Sequence, residues 1–325
     1  MKKSTFFLIS IFIFTTVLFS SFTNLDNHNS DPQDEFKILL NYLENNNNYI
    51  KNELPLIQAK EVKKNIKNSK YHIIDIRSGS WFDYGHIKNA NNVKSKDLLT
   101  YFENTIKPLD FEKIVLVCYS GQSAAYYSSL LRLAGYDNVY SMKWGMSSWR
   151  EDFAKNSWTK NAKNDFASKI ETTENTKPDL GTYPKLNTGK TEGKDILRAR
   201  LETLFATPYK EFIVKSVDLF SDPSKFYIVN YWDQEKCQGH IPGALHYTPK
   251  TSLSNDLLTL PKDNKILVYE ETGQKAAYIV AYLNVLGYNT RNLAYGENSF
   301  MNNLLKEKGK DAFSKKEINM FPVIE

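Results

Sequence analysis

The feature that most constrains this chain is a long-period repeat. Gly85-His86-Ile87 returns as Gly239-His240-Ile241. Gly121-Gln122-Ser123-Ala124-Ala125-Tyr126 returns as Gly273-Gln274-Lys275-Ala276-Ala277-Tyr278. Leu133-Ala134-Gly135-Tyr136 returns as Val285-Leu286-Gly287-Tyr288. Order and spacing agree in all three pairs, which excludes coincidence. A period of about 150 residues marks whole domains and not the short units of a solenoid. A chain of 325 residues has room for two such domains.

Each copy alternates strand and helix. In copy one, residues Tyr71 to Ile76 and Lys113 to Val117 read as short apolar strands. A glycine turn follows. Ala124 to Leu133 then carries apolar residues at helical spacing and stops at Gly135, and Val139 to Met142 supplies another strand. Copy two repeats the pattern with Phe226 to Val229, Ile266 to Tyr269 and a helix from Ala276 to Leu286 closed by Gly287. Strand, turn, helix and strand in this order predict an α/β fold with parallel strands and helices on their faces. Residues 161–194 are polar, contain Pro178 and Pro184, and read as a linker. Glu35 to Leu43 reads as a short amphipathic helix expected to pack onto domain one.

Composition narrows the function classes. Hydrophobic residues make up 41% and aromatics 14%, enough for a real core and too many for a disordered chain. Two cysteines exclude a disulfide scaffold and a cysteine-rich metal module, and no metal or cofactor motif is present. The net charge of +5 comes from scattered residues without a basic, aromatic-laced cluster, so nucleic acid is not an expected partner.

The N-terminus has a separate message. Lys2 and Lys3 precede an apolar run from Phe6 to Phe19, broken by Ser10, Thr15 and Thr16; Ser20, Ser21 and Thr23 follow. This is the order of an export signal over residues 1–23. The rival reading is an uncleaved anchor, since Thr5 to Phe22 is near the lower limit for a bilayer span. Both place the remainder outside the cytoplasm, in the periplasm or secreted; only the anchor brings membrane contact.

Cys118 is where chemistry concentrates. It ends an apolar strand and opens the loop Tyr119, Ser120, Gly121, Gln122 and Ser123, just before a helix. That is the carboxyl edge of a parallel sheet, the usual place for a site in open α/β folds. Backbone N–H groups of the loop and the helix start favour a negative sulfur. A cysteine on a strand interior is normally inert packing; at this corner it reads as a nucleophile.

The ordered set Asp75-Ile76-Arg77, Gly85-His86-Ile87, the Cys118 loop, Gly135-Tyr136-Asp137-Asn138-Val139, Trp144-Gly145 and Trp149 resembles a rhodanese-like sulfurtransferase domain. The resemblance covers roughly residues 55–155 and, more weakly, 205–308. It implies two small parallel sheets sandwiched by helices. It implies that Cys118 takes the outer sulfur of a small donor, thiosulfate or a persulfide, and passes it to a thiol or to cyanide. Asp75, Arg77 and His86 are expected to support the site: a structural ion pair for the first two, a structural hydrogen bond for the third. Domain boundaries follow: a signal or anchor at 1–23, an extension at 24–54, a catalytic domain at 55–157, a linker at 158–198, a degenerate domain at 199–308 and a tail at 309–325.

Two departures stand out against the family. The loop after Cys118 has no Arg or Lys to bind an anionic donor, though Arg77, Lys143 and Arg150 lie near enough in sequence to supply charge at its mouth. In copy two, Glu270 occupies the position of Cys118, with Glu271 beside it, and Asn230 and Trp232 replace Asp75 and Arg77. A carboxylate does not carry sulfane sulfur, so copy two reads as degenerate, the reverse of the usual order in two-domain members. It then offers a surface for a protein partner, and a chain that is wholly a binding module is the alternative function. A phosphatase would need Arg six residues after the cysteine, where Ala124 stands. A redox pair of Cys118 with Cys237 would have to bridge the two domains.

Overall fold

The computed structural model describes residues 32–46, 49–232, 239–251 and 256–325; the expected export segment and Cys237 lie outside the described residues. Each copy builds a five-stranded parallel sheet. Copy one supplies β1 (Leu56–Ile57), β2 (Tyr71–Asp75), β3 (Ala90–Asn92), β4 (Lys113–Val117) and β5 (Val139–Met142), in the order β1-β5-β4-β2-β3. Copy two supplies β6 (Ile213–Val214), β7 (Tyr227–Asn230), β8 (Leu245–His246), β9 (Ile266–Tyr269) and β10 (Thr290–Leu293), in the same order, β6-β10-β9-β7-β8. The expected α/β class and twofold repetition are therefore what the chain adopts. The central strands β4 and β9 are covered on both faces, which is why they are continuous apolar runs and not alternating ones.

The longer helices are α1 (Pro32–Asn46), α2 (Gln122–Leu133), α3 (Gly193–Ala206), α4 (Gln274–Val285) and α5 (Asn298–Glu307). Helices α2 and α4 are the repeated Gly-Gln-x-Ala-Ala-Tyr segments, and they pack against each other between the two sheets. This explains why α4 is apolar nearly all round: every residue except Lys275 is buried. Burying Tyr278, Ile279, Tyr282 and Leu283 contributes about 1.5–3 kcal/mol each. Two polar side chains of the seam are bonded across it: Ser129 Oγ donates to the Tyr278 carbonyl at 2.9 Å and Tyr278 OH donates to the Pro55 carbonyl at 2.9 Å. One core cluster consequently runs through both copies.

Both ends of the chain cross over. The expected helix before copy one is present as α1, but it packs against α3 and the copy-two side. Phe36 stacks on Tyr183 at 4.3 Å and meets Tyr288 edge-on, and the Glu35 carboxylate accepts the backbone N–H groups of Thr188 and Gly189. The amphipathic pattern showed an apolar face without showing its partner. Conversely, the last residues return to copy one: Ile324 pairs with His86, and Trp149 Nε1 donates to the Pro322 carbonyl at 3.0 Å. The segment between the copies lies along copy two through the Glu171–His240 bridge, a 2.7 Å bond from Gly181 N to the Leu258 carbonyl, and buried Leu186. Helix α3 starts at Gly193 and runs through the expected 198/199 boundary. No helix among the described residues is long and apolar enough to cross a membrane.

Candidate active site

Strand β4 carries Cys118 to the carboxyl edge of the first sheet, and α2 starts four residues later. The loop between them is held from outside by its carbonyls. Met146 N donates to the Cys118 carbonyl at 2.9 Å, Ser147 Oγ to that of Tyr119 at 3.0 Å, and Trp158 Nε1 to that of Ser120 at 2.9 Å. With the carbonyls turned outward, the N–H groups turn in. Gly121 N lies 3.1 Å and Ala124 N 3.4 Å from the Cys118 Sγ. Two backbone dipoles at the start of a helix thus point at one sulfur, the arrangement of an anion nest. Gly121 sits at φ +88° and Gly145, pressed against the loop from behind, at φ +56°. A Cβ on Gly145 would lie 2.5 Å from the Cys118 carbonyl oxygen and 2.6 Å from Gly121 N, so only glycine allows this approach.

Cys118 is 1% exposed. Above its loop lies a cleft of about 370 Å³ whose walls come from both copies. Copy one gives Tyr119, Ser120, Gln122, Ser123, Trp81 and Phe153; copy two gives Tyr209, Ile213, Ala294 and Tyr295. Among the described residues, no charged side chain lines it. Burial raises the hydroxyls of Tyr209 and Tyr295 above the usual tyrosine range, and the nearby Cys118 sulfur pushes both further the same way.

The supporting residues all have structural work. Asp75 and Arg77 form a buried ion pair at 2.7 Å, and the same guanidinium nitrogen donates to the Gly85 carbonyl. Arg77 stacks under Phe153 at 4.9 Å and is 1% exposed, so its charge is committed to Asp75 and not to the cleft. His86 stacks on Phe82 at 3.8 Å with Nδ1 2.9 Å from the Phe82 carbonyl. Its counterpart His240 sits 2.9 Å from the Thr173 carbonyl through Nε2. Lys143 is paired with Asp311 at 2.7 Å, and Arg150 with Asp152 and Glu325. The three cations expected near the mouth are therefore all neutralised. Trp144 and Trp149 are buried, and no group of three metal-ligating side chains occurs among the described residues.

Copy two reproduces the loop with a different occupant. The Glu270 carboxylate accepts from Thr272 N at 2.8 Å, Lys275 N at 3.1 Å and Ala276 N at 3.4 Å. Ala276 N is the repeat counterpart of Ala124 N, so the carboxylate takes the place of the sulfur. Burial raises the Glu270 carboxyl, with Lys275 and the loop donors opposing the shift. Glu271 is raised to about 7, first by burial and then by the charges of Glu270 and Asp311.

Two kinds of residue escaped the sequence reading. One is the cleft wall from copy two, which follows no motif. The other is Gln274. Its Oε1 accepts the Trp144 N–H at 2.9 Å, while Gln122 Oε1 accepts the Tyr295 N–H at 2.8 Å, so each loop glutamine reaches into the other copy. A signal was available: the glutamine recurs in copy two although the cysteine does not.

A family model described as "Rhodanese-like domain" matches residues 58–152 and again 210–303. The chain belongs to the rhodanese-like family and carries the domain in tandem. Among relatives, a thiosulfate sulfurtransferase of Shewanella oneidensis is 35% identical over 97 residues, covering 30% of this chain and 86% of that protein. A rhodanese-related protein of Thermoplasma volcanium is 26% identical, with a TM-score of 0.27 over 30% of this chain and 92% of its own. A thiosulfate sulfurtransferase of Pseudomonas aeruginosa is 16% identical, with a TM-score of 0.28 over 90% of this chain and 48% of that one. The family match and the Shewanella relative support a rhodanese-family sulfurtransferase.

Proposed function

We propose that copy one is the catalytic domain of an exported sulfurtransferase and that Cys118 carries the sulfur as a persulfide. The observation that supports this most is the contrast between the two loops. In copy one the inward N–H groups hold a sulfur atom. In copy two they are already taken by the Glu270 carboxylate.

The Cys118 thiolate attacks the outer sulfur of the donor. A new S–S bond forms from the thiolate lone pair, the donor S–S bond breaks, and its electron pair leaves with sulfite or with a thiolate. An acceptor thiolate or cyanide then attacks the outer sulfur of the Cys118 persulfide and regenerates the thiolate, so no net oxidation occurs. The loop amides hold the charge on the sulfur through both steps. Because no cation among the described residues lines the cleft, thiosulfate is a poor donor and a persulfide a better one. Export rests on the Lys2-Lys3 start and the apolar run behind it.

The test is sulfur loading followed by intact mass for wild type, Cys118→Ser and Glu270→Cys. Wild type gains one sulfur and Cys118→Ser gains none while keeping its fold. Glu270→Cys adds no second site, since Glu271 opposes a thiolate beside it. Wild-type turnover in Cys118→Ser would overturn the assignment, and failure of every donor on wild type would favour a binding module.

A further inference from the structure

The cleft over the Cys118 loop does not end at its own walls. A second cavity, of about 630 Å³, shares Asn156, Ile213, Ala294 and Tyr295 with it. The two form one groove with unlike halves. The inner half is aromatic and uncharged. The outer half is basic: Lys160, Lys163 and Lys215 line it against one acid, Asp165, which lies 3.6 Å from Lys163. Lys160 and Lys215 are exposed and have no ion-pair partner among the described residues. These are the free cations that the loop itself lacks.

A donor matched to this groove has its charge away from its sulfur. A small inorganic anion would leave most of the inner half unfilled and meet no cation there. Resting on the assignment of Cys118 as the sulfur carrier, we propose that the donor is a low-molecular-weight organic persulfide whose carboxylate end lies in the Lys160–Lys215 half of the groove. Its body passes Tyr295 and Ile213, and its terminal sulfur enters the loop. The Cys118 thiolate attacks the terminal sulfur of R–S–SH. The Cys118–S bond forms as the R–S to S bond breaks, the proton stays on the transferred sulfur, and R–S⁻ leaves along the groove. Atoms, charge and electrons balance without a further reagent. The lysines bind and steer the donor; they take no part in the bond exchange.

The experiment measures the rate of Cys118 loading by rapid quench and intact mass, with inorganic disulfide, glutathione persulfide and the esterified, carboxylate-free glutathione persulfide as donors. Two exposed charge contacts predict that the free acid loads wild type about five- to tenfold faster than the ester. The advantage shrinks as salt rises, and it disappears in Lys160→Glu/Lys215→Glu. Equal rates for acid and ester on wild type overturn the proposal, as does a preference that survives charge reversal. Inorganic disulfide separates the two levels: if it loads wild type while acid and ester do not differ, the donor class is wrong and the Cys118 assignment stands. If none of the three donors loads wild type, both fall.

Discussion

Replacing Gly145 by alanine should damage the sulfur-holding loop from behind without touching any atom of Cys118. Gly145 is at φ +56°, where an L side chain costs about 1–2 kcal/mol. The added Cβ also meets three backbone atoms: the Cys118 oxygen at 2.5 Å, Gly121 N at 2.6 Å and Ser120 N at 2.8 Å. Backbone does not swing away as a flexible side chain does, so overpacking adds about 1–3 kcal/mol. The sum, about 2–5 kcal/mol, is a large part of the 5–15 kcal/mol typical of a folded chain. Gly135 is the control, since it has φ +101° but nothing within 4 Å of its Cβ position; alanine there costs only the dihedral strain. Urea midpoints for the two variants separate crowding from strain. The same samples, assayed for sulfur loading, show Gly145→Ala slowed and Gly135→Ala near wild type, because only the former displaces Gly121 N from the sulfur. A Gly145→Ala midpoint no lower than that of Gly135→Ala would refute the reasoning.

Copy two gives two further expectations. Glu271 has its carboxyl raised from 4.5 to about 7. Between those pH values the folded protein binds more protons than the unfolded chain, so stability falls as pH rises through the window, by roughly 3 kcal/mol in all. Glu271→Gln should flatten this slope, and a wild-type midpoint constant from pH 4.5 to 7 would refute the cause. Glu270→Ala should strip the acceptor from three loop N–H groups and destabilise by about 2–4 kcal/mol, whereas Glu270→Gln keeps an acceptor and costs less; equal urea midpoints would show that the carboxylate is not what holds the loop.

What the sequence made legible follows from what repeats and what is buried. The strands β2, β4, β5, β7 and β9 were readable because central parallel strands are apolar on both faces. The edge strands β1, β3, β6 and β8 were not, since two or three residues carry no period. Strand β10 hid for another reason: its buried Thr290 and Asn292 are polar, with Thr290 Oγ1 donating to Asn284 and Asn292 Nδ2 donating to Tyr209 and the Gly273 carbonyl. The Cys118 corner was visible as a strand, a glycine loop and a helix. The Asp75–Arg77 pair was visible and Arg150 has Asp152 two residues away, but the neutralisation of Lys143 was not visible, because its partner Asp311 comes from far along the chain. The groove across both copies is likewise a product of how α2 meets α4.

The crossed ends bear on how the chain reaches its structure. Copy one is complete in sequence by about Ser157, yet Trp149 waits for Pro322, 173 residues later, and His86 waits for Ile324. Tyr278 of copy two must meet Pro55 across 223 residues. Contacts this distant close late, because the loop between them must lose its freedom before the contact offers anything in return. Copy one therefore makes its last contacts only after copy two has been made. The Trp149 surface stays open until residues 321–324 arrive, so a segment made after copy two closes the core of copy one.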